Sequence, residues 1–236
     1  MIQEILAKKL QARLTSTYHF VHMGAEILRY ERLADQTMLV AKAVEVSDSQ
    51  AMEDLSANIS SYNKLKRIGA GQIIPPDLEL VKTEGCQVLV MQDLGMPLAQ
   101  VDAGLDACRE MWQSYPKIVF RTTEGVAFVG QVCRYISKYC PNFGTDIAGR
   151  ITATDWPNKF RIAGLMLLDF TPDNVFCTEQ RMYFIDPWDQ ASFLGHPAVS
   201  LGQFGQLMRI NGMKQAEECR EYLHGLSLGE ITQLLG

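Results

Sequence analysis

Two apolar runs in the second half of the chain each end in an acid. Leu165-Met166-Leu167-Leu168 leads into Asp169, and Met182-Tyr183-Phe184-Ile185 leads into Asp186. Asn174 stands between them, five residues after Asp169 and twelve before Asp186. The apolar pattern predicts a hairpin in this interval, with one strand over 175–177, a turn over 178–181 and a return strand over 182–185. That register sets Asn174 and Asp186 at neighbouring ends of a β-ladder, with Asp169 just upstream. Three hard oxygen donors grouped in this way suit Mg²⁺, which takes one or two protein carboxylates or amides and fills its remaining positions with water and phosphate oxygens. The layout fits phosphoryl transfer, in which one Asp orients the acceptor while an Asn and a second Asp hold metal.

The first half carries a matching feature. Thr37-Met38-Leu39-Val40-Ala41-Lys42-Ala43-Val44 is a short apolar run with a single cation, Lys42. A polar stretch of helical character follows over 48–67. Next come Ile73-Ile74-Pro75-Pro76 and the strand-like Gln87-Val88-Leu89-Val90-Met91-Gln92, which runs into Asp93-Leu94-Gly95. For a lone lysine in a strand the ordinary reading is a solvated face. Asp169 alone reads as a cap or turn residue, Asn174 as a turn residue and Asp186 as a strand-end acid. Their order along one chain raises the odds of a shared site.

These segments resemble the protein-kinase-like superfamily, and in motif style its aminoglycoside and choline phosphotransferase branch. That branch reads H-G-D-x-H-P-x-N followed by I-D-[FW]. Here the frame is filled by Leu167-Leu168-Asp169-Phe170-Thr171-Pro172-Asp173-Asn174 and by Ile185-Asp186-Pro187-Trp188. The run around Lys42 is similar to the V-A-I-K strand, and 87–95 is similar to the strand entering the family's hinge. The likeness extends over about 18–207. It implies an α+β, bilobal protein-kinase-like fold, with a β-rich N-terminal nucleotide-binding lobe over 1–95 and a reduced, mainly helical C-terminal lobe over 96–236. It further implies ATP and Mg²⁺ as cofactors. Asp169 would orient or deprotonate an acceptor hydroxyl, Lys42 would bind phosphate, Asn174 and Asp186 would hold metal, and the backbone of Gln92 and Leu94 would meet adenine.

Several positions depart from the family pattern. The helix acid that pairs with the strand lysine is expected near 61, which is Ser61, and Glu53 could replace it only on a shifted or rotated helix. Leu167 and Thr171 stand where the branch has histidines. The expected phosphate loop offers a single glycine, Gly24. An active phosphotransferase, acting on a small molecule or on a dedicated protein partner, is the leading expectation. A pseudokinase that binds nucleotide or serves as a scaffold is the alternative, and a kinase-fold AMP transferase is a third.

A net charge of −5 supplies no basic footprint, so nucleic acid is not expected as a partner. No run reaches the ~18 apolar residues of a membrane span. Six scattered cysteines form no C-x-x-C pair and read as structural thiols. At the N-terminus, Ile2, Ile5, Leu6, Leu10 and Leu14 fall on one helical face. The segment lacks the continuous apolar core of a signal peptide, so cytoplasmic residence is expected. It reads as a helix to about Leu14 that packs on the N-terminal lobe, with partner binding as the minority reading. Strands are expected over 18–23, 27–33, 38–44, 78–81 and 86–92. Helices are expected over 48–68, 98–112, 125–139, 145–152, 199–210, 213–223 and 226–235.

Overall fold

The computed structural model describes residues 2–20, 25–100, 105–121, 162–167, 169–178, 181–187, 194–195, 200–201, 204–205, 208, 212–213, 215–223 and 225. Met1–Asn63 with Ile74–Gly95 forms one compact unit, and Lys64–Ile73 with Met96–Gly236 forms a second. The fold is α+β, with a β-rich N-terminal sheet and helices later in the chain.

The first unit is built on a five-stranded antiparallel sheet. Its strands are β1 (Ala12–Phe20), β2 (Ala25–Arg32), β3 (Met38–Glu45), β4 (Glu79–Lys82) and β5 (Cys86–Gln92), in the order β1-β2-β3-β5-β4. Alternation along each strand separates two faces. Leu28 and Tyr30 of β2, Leu39, Ala41 and Ala43 of β3, and Val88 and Val90 of β5 pack on one face, where Leu6 of helix α1 (Ile2–Lys9) joins them in a buried core. Lys42 therefore lies on the opposite face, with Ile27 and Leu89 as its register partners on β2 and β5.

The N-terminal helix packs on the sheet as the apolar spacing predicts, but it stops at Lys9 rather than near Leu14. Gln11 takes a left-handed φ of 49°, and its carbonyl accepts from the Leu33 amide at 2.9 Å. The chain then enters β1 six residues before the expected start. Leu10 and Leu14 are spaced for a helix face, but Leu14 instead pairs with Tyr30 across a ladder. The tertiary ladder overrides the local period.

Helix α2 (Ser49–Arg67) begins where Asp48 caps it, its carboxylate accepting from the Ala51 amide at 3.0 Å. It ends where Gly69 (φ 87°) lets the Ala70 amide reach the Leu65 carbonyl at 2.9 Å. After β5, Asp93 shapes the turn: one carboxylate oxygen accepts from the Gly95 amide at 2.9 Å, and the other lies 3.2 Å from Arg29 Nε.

In the second unit, the segment expected as a helix over 98–112 divides into a 3₁₀ turn (Leu98–Gln100) and helix α3 (Leu105–Ser114). Strands β6 (Val119–Arg121), β7 (Ile162–Leu165) and β10 (Leu194–Gly195) form a small antiparallel sheet in the order β10-β7-β6. Strands β8 (Val175–Thr178) and β9 (Arg181–Phe184) form the expected hairpin, with both ends of the expected turn, Thr178 and Arg181, paired in the ladder. Helical residues occur at 200–201, 204–205, 208 and 216–223. The helices expected over 125–139, 145–152 and 226–235 lie outside the described residues.

Candidate active site

The site in the second unit is assembled from the end of β7 onward. Leu165, Met166 and Leu167 are all buried, and Phe170 is fully buried. Around Phe170 the rings of Tyr115, Phe184 and Phe204 gather at centroid distances of 5.6, 5.5 and 5.5 Å. This aromatic cluster fixes the backbone immediately after Asp169, so the half-buried acid is held from below by packing. A hydrogen-bonded network fixes the backbone before it. The Tyr115 hydroxyl donates to the Leu165 carbonyl at 3.0 Å and meets Ser200 Oγ at 3.1 Å, while Ser200 Oγ accepts from the Leu167 amide at 2.7 Å. Burial pushes the Tyr115 hydroxyl well above its usual pKa, although its bonds to Ser200 and to the backbone oppose the shift.

Leu167 is fully buried and contributes apolar packing, while Ser200 Oγ accepts from its backbone N–H. Ser200→Ala would leave that buried amide without its acceptor and remove a partner of Tyr115. We expect a stability loss of about 1–3 kcal/mol, the usual cost of an unsatisfied buried polar group, measurable by urea unfolding.

Asp169 has φ 57° and Asp186 φ 48°, in the left-handed region that L-residues other than Asn and Asp rarely adopt. Both acids thus sit on constrained backbone at the two ends of one motif, as is common where geometry serves chemistry. Asn174 joins them. Its side-chain amide donates to Asp169 Oδ2 at 2.9 Å and to the Asp169 carbonyl at 3.1 Å, while its backbone carbonyl accepts from the Ile185 amide at 2.9 Å. The backbone bond from Ile185 extends the β8–β9 ladder by one step, and Asp186 follows directly in the chain. The Asn174 amide oxygen takes part in none of these three bonds.

Burial raises the Asp169 carboxyl pKa above the ordinary carboxylate range. The Asn174 hydrogen bond opposes that shift, and the negative charges of Asp186 and Asp173 add to it. Like charge crowded at partly buried acids is relieved by a divalent cation, and the donors are hard oxygens, so these residues fit Mg²⁺. Among the described residues no cluster of three His, Cys, Asp or Glu side chains converges as a metal site. The fit therefore rests on two acids and an amide, with phosphate left to complete the shell.

In the first unit, Lys42 is 94% removed from solvent, and its Nζ donates to Asn58 Oδ1 of α2 at 3.3 Å. Neither residue proposed from sequence occupies this place. Glu53 is exposed, roughly 140° around the helix from Asn58 at 3.6 residues per turn. Ser61 is fully buried one turn beyond Asn58, and its Oγ has no hydrogen-bond partner among the described residues. A family pattern that looks for an acid gives no signal for Asn58. The Gln92 amide donates to the Pro76 carbonyl at 2.9 Å, so a ligand contact from Gln92 would come through its carbonyl. Leu94 lies in the turn shaped by Asp93 and Gly95. Gly24 lies outside the described residues, as does Trp188.

No helix among the described residues is long and apolar enough to cross a membrane. No family model and no curated protein matches the chain. Among solved structures, the chain is similar to the crystal structure of an aminoglycoside-3'-phosphotransferase of type VIII. The TM-score is 0.50 and the identity 14%, with 98% of this chain and 91% of that chain covered. At such low identity the likeness bears on the fold alone, and that fold is kinase-like α+β.

Proposed function

We propose that this chain is a kinase-like phosphotransferase that moves the γ-phosphoryl group of ATP to an acceptor hydroxyl with Mg²⁺. The observation that carries the reading is the placement of Asn174, whose side-chain amide holds the Asp169 carboxylate while its backbone carbonyl accepts from the amide of Ile185, the residue before Asp186. In this reading Asp169 accepts the proton of the acceptor hydroxyl as its oxygen attacks the γ-phosphorus, the bond to the bridging oxygen breaks, and ADP leaves. Asn174 keeps the carboxylate aimed through its 2.9 Å bond to Asp169 Oδ2. Asn174 Oδ1 and Asp186 would hold Mg²⁺, which when bound neutralises phosphate charge. Lys42 would bind phosphate, and the backbone of Gln92 and Leu94 would receive adenine. The acceptor would be a small molecule or a dedicated protein.

One observation favours the pseudokinase reading instead. On α2, the helix from which the resembled family supplies an acid, Lys42 meets the neutral amide of Asn58. Nucleotide binding without transfer would follow from that reading.

Thermal unfolding with ATP, with and without Mg²⁺, tests the nucleotide assignment. A ligand that binds only the folded state stabilises it by RT ln(1 + [L]/Kd), about 2.7 kcal/mol at a hundredfold excess over Kd. The expected result is a Tm increase that requires Mg²⁺ for its full size. No increase at millimolar ATP with Mg²⁺ or Mn²⁺ would remove both the enzyme and the nucleotide-binding pseudokinase.

A further inference from the structure

We propose that Asn58 is the positioning residue for Lys42, and that a neutral amide does here the orienting work for which an acid was expected. The inference deepens the phosphotransferase reading and rests on it for its effect on nucleotide, whereas the Lys42–Asn58 link is separately testable. Lys42 and Asn58 are each 6% exposed, and the lysine donates to the amide oxygen at 3.3 Å. Alternation in β3 sends Lys42 to the face opposite the core built on α1, and the period of α2 brings Asn58 to it. The other candidates on α2 are placed elsewhere. Glu53 is exposed, and Asp54 accepts from Gln50 Nε2 at 3.2 Å on an exposed stretch of the helix.

The chemistry of the amide suits this location. Burying a carboxylate beside Lys42 would carry a large desolvation cost, and a carboxylate would add negative charge near the place assigned to phosphate. An amide oxygen is cheaper to bury and still gives the ammonium a directional acceptor. Lys42 is thereby aimed without a carboxylate from Asn58 competing with phosphate for it. Ser61, one turn further along α2, is too short a side chain to be the acid's replacement and has no hydrogen-bond partner among the described residues.

The test uses the full chain and three variants: Asn58→Leu, which keeps the volume and removes the acceptor; Asn58→Ala, as a smaller change in case leucine disturbs packing; and Asn58→Asp, which keeps an acceptor oxygen. One arm measures acetylation of Lys42 by N-hydroxysuccinimide acetate without nucleotide, quantified by peptide mass spectrometry against the exposed Lys66. The proposal expects the Lys42 rate to rise severalfold in Asn58→Leu and Asn58→Ala and to stay near wild type in Asn58→Asp, with Lys66 unchanged. The other arm measures ATP affinity with Mg²⁺ by calorimetry. Loss of a hydrogen bond to a charged group predicts roughly tenfold weaker binding or more in the Leu and Ala variants, with Asn58→Asp, whose carboxylate competes with phosphate for Lys42, between them and wild type. Equal Lys42 labelling in wild type and both acceptor-free variants would overturn the proposal, as would equal affinities. If wild-type protein binds no ATP, the phosphotransferase reading fails, and the labelling arm still decides whether Asn58 holds Lys42.

Discussion

Asp169→Asn is expected to slow phosphoryl transfer by about 10²–10⁴-fold, the usual contribution of a positioned general base. The same change should leave the protein at least as stable as wild type at neutral pH. Asparagine tolerates the left-handed φ of 57° at this position, and its side-chain oxygen can still accept from Asn174. The direction of the stability effect follows from the raised carboxyl pKa. Across the interval between the unfolded value and the higher folded value, the native state binds more protons than the unfolded state. Stability therefore falls as pH rises through that interval, and at neutral pH the ionised carboxylate is a cost that Asn removes. Activity lost together with stability retained or increased would mark Asp169 as a functional residue rather than a turn residue. Chemical denaturation at pH 7 and single-turnover kinetics supply the two readouts. Full function in a folded Asp169→Asn protein would contradict the phosphotransferase reading.

Asp186→Asn should act differently, because the mechanism gives this acid a charge to offer metal rather than a proton to accept. Its φ of 48° is again tolerated by Asn, so the backbone need not change. Loss of one preorganised electrostatic group predicts a decrease on the order of 10²–10³-fold in turnover. Nucleotide affinity should become weaker and less dependent on Mg²⁺, and excess Mg²⁺ should restore part of it. Titrating ATP affinity against Mg²⁺ in both variants separates the two roles. An Asp186→Asn protein with unchanged Mg²⁺ dependence would mean that the metal is held elsewhere.

The parts of this fold legible in the sequence are those in which local pattern and tertiary packing agree. The continuous apolar runs around Lys42 and in 86–92 read as strands because successive residues of β3 and β5 are buried on both faces, and the hairpin after Asn174 reads from its two short apolar runs. Leu14 was misread because its spacing from Leu10 suits a helix, whereas pairing with Tyr30 decides the outcome. Asn58 was not legible because an amide opposite a lysine has no motif; only the meeting of β3 and α2 reveals it. Ser200 and Tyr115 lie 33 and 85 residues from their partners Leu167 and Ser200, so no local signal joins them to the loop that carries Asp169. The acids themselves were visible as sequence, but their left-handed backbone and their link through Asn174 belong to the folded chain.

A phosphotransferase moves a phosphoryl group and does not merely bind nucleotide. The most direct measurement incubates purified wild-type and Asp169→Asn protein with Mg²⁺ and ATP labelled at either the γ- or the α-phosphate, alone and with a panel of hydroxyl-bearing acceptors including cell-extract metabolites and proteins. The expected result is transfer of γ-label to water, protein or acceptor by wild type, little or none by Asp169→Asn, and no transfer of α-label by either. Transfer of α-label would replace phosphoryl transfer with AMP transfer. Nucleotide binding with no movement of either label in wild type would contradict the account and leave a kinase-shaped binding protein in its place.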